Sequence, residues 1–228
     1  MVKFLLVRFS SIGDIVLTTP VVRHLKQQVE NAEIHFLTKA SYRPLLEANP
    51  HIDRIHSFDG DMKACNASLR NEQIDYVIDL HSNFRSARIK YALKRMAFSV
   101  NKLNWLKWIL VNFKTDRLPD RHMVDRNLDT ISTFIEERDD LGLDYFIPEN
   151  CEVNLNTLPG VFRKGYLGLS IGAQHVTKKL PLESLIYLCQ NLEYPVMILG
   201  GPEDRERAEQ LCSSLPEKHM INACGAYS

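Results

Sequence analysis

The sequence predicts an α/β fold built on parallel sheets in two successive units, and three observations carry that reading. Short β-rich runs alternate with helical patterns, the order that lays helices over a parallel sheet. The alternation fades between about Asp144 and Lys164, where prolines, asparagines and Gly160 read as a linker. A second strand–helix–strand–helix–strand series then begins and reaches its third strand just before Ser228. The expected organisation is a domain over 1–143, a linker over 144–164 and part of a second doubly wound domain over 165–228.

Taken in order, "KFLLVRF" supplies the first strand. After Asp14, Leu17, Val21, Val22, Leu25 and Val29 fall on one side at helical spacing, and Pro20 predicts either a helix that starts near Thr18 or a kink. "AEIHFLT" alternates as a strand, "YRPLLEANP" reads as a short helix closed by Asn49-Pro50, and a weak strand follows around "DRIHSF". "IDYVIDL", from Ile74 to Leu80, is a buried strand, and "MVDRNLDTISTFIEE" reads as a long helix with Leu128, Ile131 and Ile135 in its stripe. In the second unit the strands "YLGLSI", "PVMILG" and "HMINAC" alternate with the helices "PLESLIYLCQ" and "RAEQLCSSL".

With 228 residues, 45% hydrophobic and 25% charged, the composition is that of a globular protein with a sizeable core. The 28 basic and 28 acidic residues balance, so the chain as a whole offers nothing to a polyanion such as nucleic acid, and any electrostatic signal is local. The five cysteines are scattered without a CxxC pair, which argues against structural zinc and a disulfide framework and fits a reducing cytosol. No apolar run is long enough to span a membrane, and the first residues lead straight into a strand rather than a signal peptide. A cytoplasmic location is expected, and the sequon Asn66-Ala67-Ser68 is read as chance.

Three strand-to-helix loops could carry chemistry, because in open parallel sheets the ligand crevice lies at the carboxyl ends of the strands. The first is Ser10-Ser11-Ile12-Gly13-Asp14, whose small residues admit a ligand and whose aspartate is also a preferred helix cap. The second, "SIGAQHVTKKLP", gathers Thr177, Lys178 and Lys179 before Pro181; hydroxyl and ammonium donors suit a diphosphate, as a solvated lysine pair would equally explain them. The third, "LGGPEDRE", offers Glu203 and Asp204 either to ribose hydroxyls or to an ordinary helix start. Neither a P-loop nor a GxGxxG motif occurs. His81, His122 and His175 lie in no Ser-His-Asp or HxxxH arrangement and read as ordinary polar residues.

A fourth feature is electrostatic. From His81 to Thr115 the chain carries basic residues, Arg85, Arg88, Lys94 and Lys107 among them, and no acidic one. Trp105, Leu106, Trp108, Ile109 and Leu110 are interleaved. Such a patch suits an anionic amphiphile or an anionic membrane surface; the alternative is a solvated basic face whose tryptophans belong to the core.

Together "LLVRFSSIGDIVLTTPVVRHLK", "IDYVIDLHSNFRSARI", "LSIGAQHVTKKLP" and "VMILGGPEDRERAEQL" resemble the family 9 glycosyltransferases, whose best-known members are the ADP-heptose:lipopolysaccharide heptosyltransferases. The resemblance implies a GT-B architecture of two Rossmann-like domains, an amino-terminal one for the acceptor and a carboxy-terminal one for the nucleotide sugar. It implies an inverting transfer of heptose or a related sugar to a lipopolysaccharide core or similar glycolipid, with Asp14 as the general base. Ser10, Ser11, Gly13, Arg85 and Arg88 would serve the acceptor, and Thr177 and Lys178 the donor diphosphate. Either Glu203 or Asp204 would contact the nucleotide. No metal and no cofactor beyond the nucleotide sugar, ADP-heptose by this resemblance, is expected, and peripheral contact with the inner face of the inner membrane is. Leu180 departs from the aromatic residue usual in the family. The family's Asp-Ser/Thr-Gly-x-x-His motif does not occur before Ser228, so the second domain is expected to be incomplete. The rival readings are a remnant that binds acceptor or membrane only, and a nucleotide-dependent oxidoreductase, which the missing GxGxxG disfavours.

Overall fold

The computed structural model describes residues 1–173 and 175–227, apart from the side chain of Asn150. It divides into two units, 1–148 and from residue 149 onward.

The first unit is a five-stranded parallel sheet in the order β3-β2-β1-β4-β5. Its strands are β1 (Val2–Val7), β2 (Ala32–Lys39), β3 (Arg54–Phe58), β4 (Tyr76–Asp79) and β5 (Met96–Ser99). The helices are α1 (Ile12–Val16), α2 (Thr19–Gln28), α3 (Met62–Asn71), α4 (Phe84–Leu93), α5 (Asn104–Phe113) and α6 (Met123–Asp129). Successive residues of β1 point to opposite faces of the sheet. Phe4 and Leu6 pack with Val21, Val22 and Leu25 of α2 on one face, whereas Leu5 and Val7 pack with Leu69 of α3 and Ile89 of α4 on the other. Both faces are covered, which is why this strand reads as a continuous apolar run.

Helix boundaries bear out the sequence expectation at Pro20 and depart from it at two places. Pro20 marks a break: α1 ends at Val16, and α2 begins at Thr19 with the proline in its first turn, where its missing N–H is harmless. The helix expected over "YRPLLEANP" is a 3-10 turn over Ala40–Leu45 with Pro44 inside it. The long helix expected from Met123 stops at Asp129. There the hydroxyls of Thr130 and Ser132 donate to the carbonyls of Asn127 and Asp129, competing with the helical ladder. Among the described residues no helix is long and apolar enough to cross a membrane.

The second unit is a three-stranded parallel sheet, β6 (Leu167–Ser170), β7 (Val196–Leu199) and β8 (Met220–Asn222), in that order. It is crossed by α7 (Leu182–Gln190) and α8 (Arg205–Ser214). Leu185, Cys189, Ala208 and Leu211 of the helices cover Val196 and Ile198 on one face. The segment expected as a linker is divided between the units. Asp144 is held in the first, its carboxylate by Arg23 and its N–H by Thr19 Oγ1, while Leu158 and Phe162 are buried against Met197 in the second.

Candidate functional site

In the first sheet β1 and β4 lie side by side while the chain leaves them toward opposite edges. This is the switch point at which an open α/β sheet leaves a crevice. The turn after β1 brings Arg8, Ser10, Ser11 and Asp14 there. Ser11, in extended conformation, is the cap of α1, and Asp14 is its third helical residue rather than the cap itself. Asp14 Oδ2 accepts from the Ser11 N–H at 3.2 Å and the Ser11 hydroxyl at 3.0 Å, and pairs with Arg8 Nη2 at 2.8 Å. Arg8 is nearly buried and donates from Nε to Ser10 O at 2.9 Å and from Nη1 to Leu80 O at 2.5 Å. It therefore ties the turn after β1 to the end of β4. Partial burial pushes the Asp14 carboxyl upward, but the Ser11 N–H and the Arg8 charge outweigh it and hold the pKa below the ordinary aspartate value. Asp14 is ionised at neutral pH, and its Oδ1 accepts no hydrogen bond among the described residues.

The β4 side of the crevice is organised by Asp79, which is fully buried. Its Oδ1 accepts from the N–H groups of His81 and Ser82, and its Oδ2 from Ser86 Oγ and Lys90 Nζ. Lys90 is thus committed to an internal ion pair and not to the basic surface. His81 lies edge-on to Phe9 at 5.3 Å, and its Nδ1 has no hydrogen-bond partner among the described residues. Burial first, then the charges of Arg8 and Lys102, push its pKa down to about 4, so it is neutral at pH 7. Lys102, part-buried, is lowered by that burial and by Arg8 and lies within electrostatic reach of Asp14. His122, in contrast, caps α6, its Nδ1 accepting from the Val124 N–H. His175 is exposed at the start of a 3-10 turn.

Arg85 and Arg88, both on α4, open onto different surfaces. Arg85 lines a cavity of about 420 Å³ with Lys39, Ser41, Asp59 and Gly60. Arg88 lines a separate groove with Arg70, Phe84 and Tyr91. The alternative of core tryptophans is overturned: α5 has no buried residue, and both tryptophans are exposed.

In the second unit Thr177 and Lys178 are exposed in the 3-10 turn Val176–Lys178 after β6. Their neighbour Lys179 has another task, since its Nζ is 2.7 Å from Oδ1 of Asp204. Asp204 is buried, accepts the Gly201 N–H at 3.3 Å, and is held below the usual aspartate range chiefly by the Lys179 hydrogen bond. Glu203 beside it is exposed. Only a glycine fits at 172, because a Cβ there would collide with the Asp204 carboxylate. Leu180, at the departure from the family pattern, is exposed, and its carbonyl accepts from Arg207.

Arg8, which engages Asp14, is central here and was passed over by sequence patterning; Lys179, read there with Lys178 as a diphosphate donor or a solvated pair, instead engages Asp204. Arg8 stands inside a strand-like run and Lys179 beside an equivalent lysine, so only the partner each finds in space sets it apart.

Residues 62–228 match the family model described as glycosyltransferase family 9 (heptosyltransferase), more than half of the chain. The chain belongs to this family. A curated relative, lipopolysaccharide heptosyltransferase 1 of Campylobacter coli, is 25% identical over 122 residues, a match that covers 51% of this chain and 36% of the relative. The chain thus matches about a third of that protein's length. Among solved structures, a family 9 glycosyl transferase from Veillonella parvula superposes with a TM-score of 0.75 at 20% identity, covering 99% of this chain and 70% of that one. The E. coli heptosyltransferase WaaC, solved with ADP-2-deoxy-2-fluoro heptose, gives 0.68 at 18% identity over 96% and 76%. These likenesses establish an α/β, GT-B-like fold. The matched family range begins after the Ser10–Asp14 turn, so the role of Asp14 rests on the motif and on its geometry.

Proposed function

We propose that this chain serves an inverting glycosyltransferase that moves a heptose, or a related sugar, from an ADP-activated donor to a lipopolysaccharide core or similar glycolipid. The observation that carries this reading is Asp14: ionised, anchored through Oδ2 by Arg8 and Ser11, with Oδ1 left to accept a proton. The acceptor hydroxyl attacks the anomeric carbon as the bond from that carbon to the diphosphate oxygen breaks. The hydroxyl proton passes to Asp14 Oδ1, and the nucleoside diphosphate departs with the bonding pair. Ser10, Ser11 and Gly13 shape the acceptor side, and Arg85, open to its cavity, attracts acceptor anions; Arg88 belongs to a separate surface.

On the donor side, exposed Thr177 and Lys178 meet the diphosphate. Of the two acidic candidates, Glu203 suits the nucleotide contact because it is exposed, whereas Asp204 is buried against Lys179. The ADP-sugar donor is inferred from WaaC, whose ligand is an ADP-heptose analogue. The anionic glycolipid acceptor places the protein in the cytoplasm, peripheral to the inner membrane, and the mechanism invokes no metal.

Asp14→Asn preserves the shape of the side chain and removes the base. We expect transfer to fall about 10²- to 10⁴-fold, the usual contribution of a positioned base, while donor affinity by calorimetry is unchanged. Retained turnover would sink the assignment. The rival reading is binding of acceptor without donor. Failure of residues 1–228 to bind ADP in the calorimeter decides for it.

A further inference from the structure

Helix α5 has no buried residue. Trp105 is 69% exposed and Trp108 48%, with Val111 and Phe113 exposed beyond them. The two indoles stack at 5.1 Å with 17° between their planes, and Phe113 meets Trp108 edge-on at 5.5 Å. The inner side of the helix, Leu106, Ile109 and Leu110, is only half-buried. Lys107 and Lys114 are exposed along and just past the helix, and no acidic residue occurs from His81 to Thr115. An aromatic stripe bordered by lysines is what an interfacial helix presents to lipid: indoles settle at the headgroup level, and lysines meet anionic phosphates.

We propose that α5 is an interfacial anchor that seats the first unit on an anionic phospholipid bilayer. The inference deepens the glycolipid-acceptor reading, and rests on it only for what the anchoring is for. Charge favours this occupant over a second copy of the chain. Self-association through this face would set Lys107 and Lys114 against their own counterparts, whereas an anionic leaflet neutralises both. The location also fits, because Lys102, two residues before α5, lies within electrostatic reach of Arg8 and Asp14.

The chain has two tryptophans, 105 and 108, so its indole emission reports α5 alone. Vesicles of phosphatidylglycerol and phosphatidylcholine should shift that emission to the blue, and brominated acyl chains should quench it. Pure phosphatidylcholine should do neither. Lys107→Gln combined with Lys114→Gln should weaken partitioning about thirtyfold, from the usual attraction of two basic residues to an anionic surface. Trp105→Ser with Trp108→Ser, read by co-sedimentation, should reduce binding to background with an unchanged circular dichroism spectrum, since both side chains are already exposed. Emission unmoved by anionic vesicles overturns the proposal. So does a lipid-independent blue shift that grows with protein concentration, the mark of a second copy. None of these readouts needs turnover, so their failure is separable from failure of the transfer reading, which Asp14→Asn judges.

Discussion

β1 runs between β2 and β4, and its last four residues are buried; β6, the first strand of the second unit, pairs with β7 alone among the described residues and is largely exposed. Each strand leads into a turn that holds one carboxylate against one cation, Asp14 with Arg8 at 2.8 Å and Asp204 with Lys179 at 2.7 Å. The outcomes are opposite. In the first turn the cation is nearly buried and the carboxylate part-exposed, so one oxygen stays available for chemistry. In the second the carboxylate is buried and its chemistry is consumed in holding two loops together, which leaves Lys178 and Glu203 at the surface. The same ion-pair chemistry leaves a carboxylate oxygen open in one place and builds a brace in the other, and what differs is which partner the surrounding strands cover.

The sharpest way to break this comparison is hydrogen exchange. Both sets of β1 amides have a neighbouring strand, whereas alternate amides of β6, at Gly168 and Ser170, point away from β7 by the geometry of parallel pairing. Amides of Leu5 and Leu6 should exchange slower than those of Gly168 and Ser170 by a factor on the order of 10² or more. Equal protection would show that the edge does not loosen the second unit. Next in size is Arg8→Met, which strands Asp14 and the carbonyls of Ser10 and Leu80. It should lower stability by about 2–3 kcal/mol in urea titration, chiefly from the two carbonyls left unpaired, since part-exposed Asp14 regains water. It should also raise the Asp14 pKa toward the ordinary value, moving the acid limb of the transfer rate to higher pH.

In the second turn, Gly172→Ala forces Asp204 from its place beside Lys179. A loss of about 2 kcal/mol is expected from the overpacking, with weakened ADP affinity, and Asp204→Asn should reproduce the affinity loss with a smaller loss of stability. The smallest effect is acid sensitivity. His56 of β3, stacked on buried His35 with 3.0 Å between its Nε2 and His35 Nδ1, has its pKa pushed down to about 4 by burial and by the His35 and arginine charges. The unfolded chain takes up this proton near pH 6.5 and the folded one near 4. Stability is therefore full above about pH 6.5 and declines as pH falls toward 4. His56→Gln should flatten that decline in thermal melts taken between those values; an unchanged slope would assign it to other groups, of which His81 is the first to test.

Most of the strands were legible in the sequence because a buried parallel strand must be apolar on both faces, and "KFLLVRF", "IDYVIDL" and "PVMILG" are. Helix ends were less legible. Thr130 and Ser132 fit a helical stripe as well as they fit a stop, and only the carbonyls their hydroxyls reach decide between these. Helix α3 has Asp61 as its cap, accepting from the N–H groups of Lys63 and Ala64, a local signal that patterning alone left unread. Asp14 read locally as a helix cap, whereas the structure makes it the third helical residue, because α1 begins at Ile12 with Ser11 as its cap.

By itself, then, the sequence determined most of the strands, the two-unit plan and the family, because these follow from apolar periodicity and from short contiguous motifs, while α3, α4, β5 and α5 went unread. Tertiary structure alone decided which carboxylates stay open to solvent and which are buried as braces. Arg8 reaches Asp14 across a turn, Lys179 reaches Asp204 from another loop, and the tryptophans of α5 stay outside the core. Each of these depends on distances between segments remote in the chain, and the electrostatic consequence of a charge is set by how much water its neighbours leave around it.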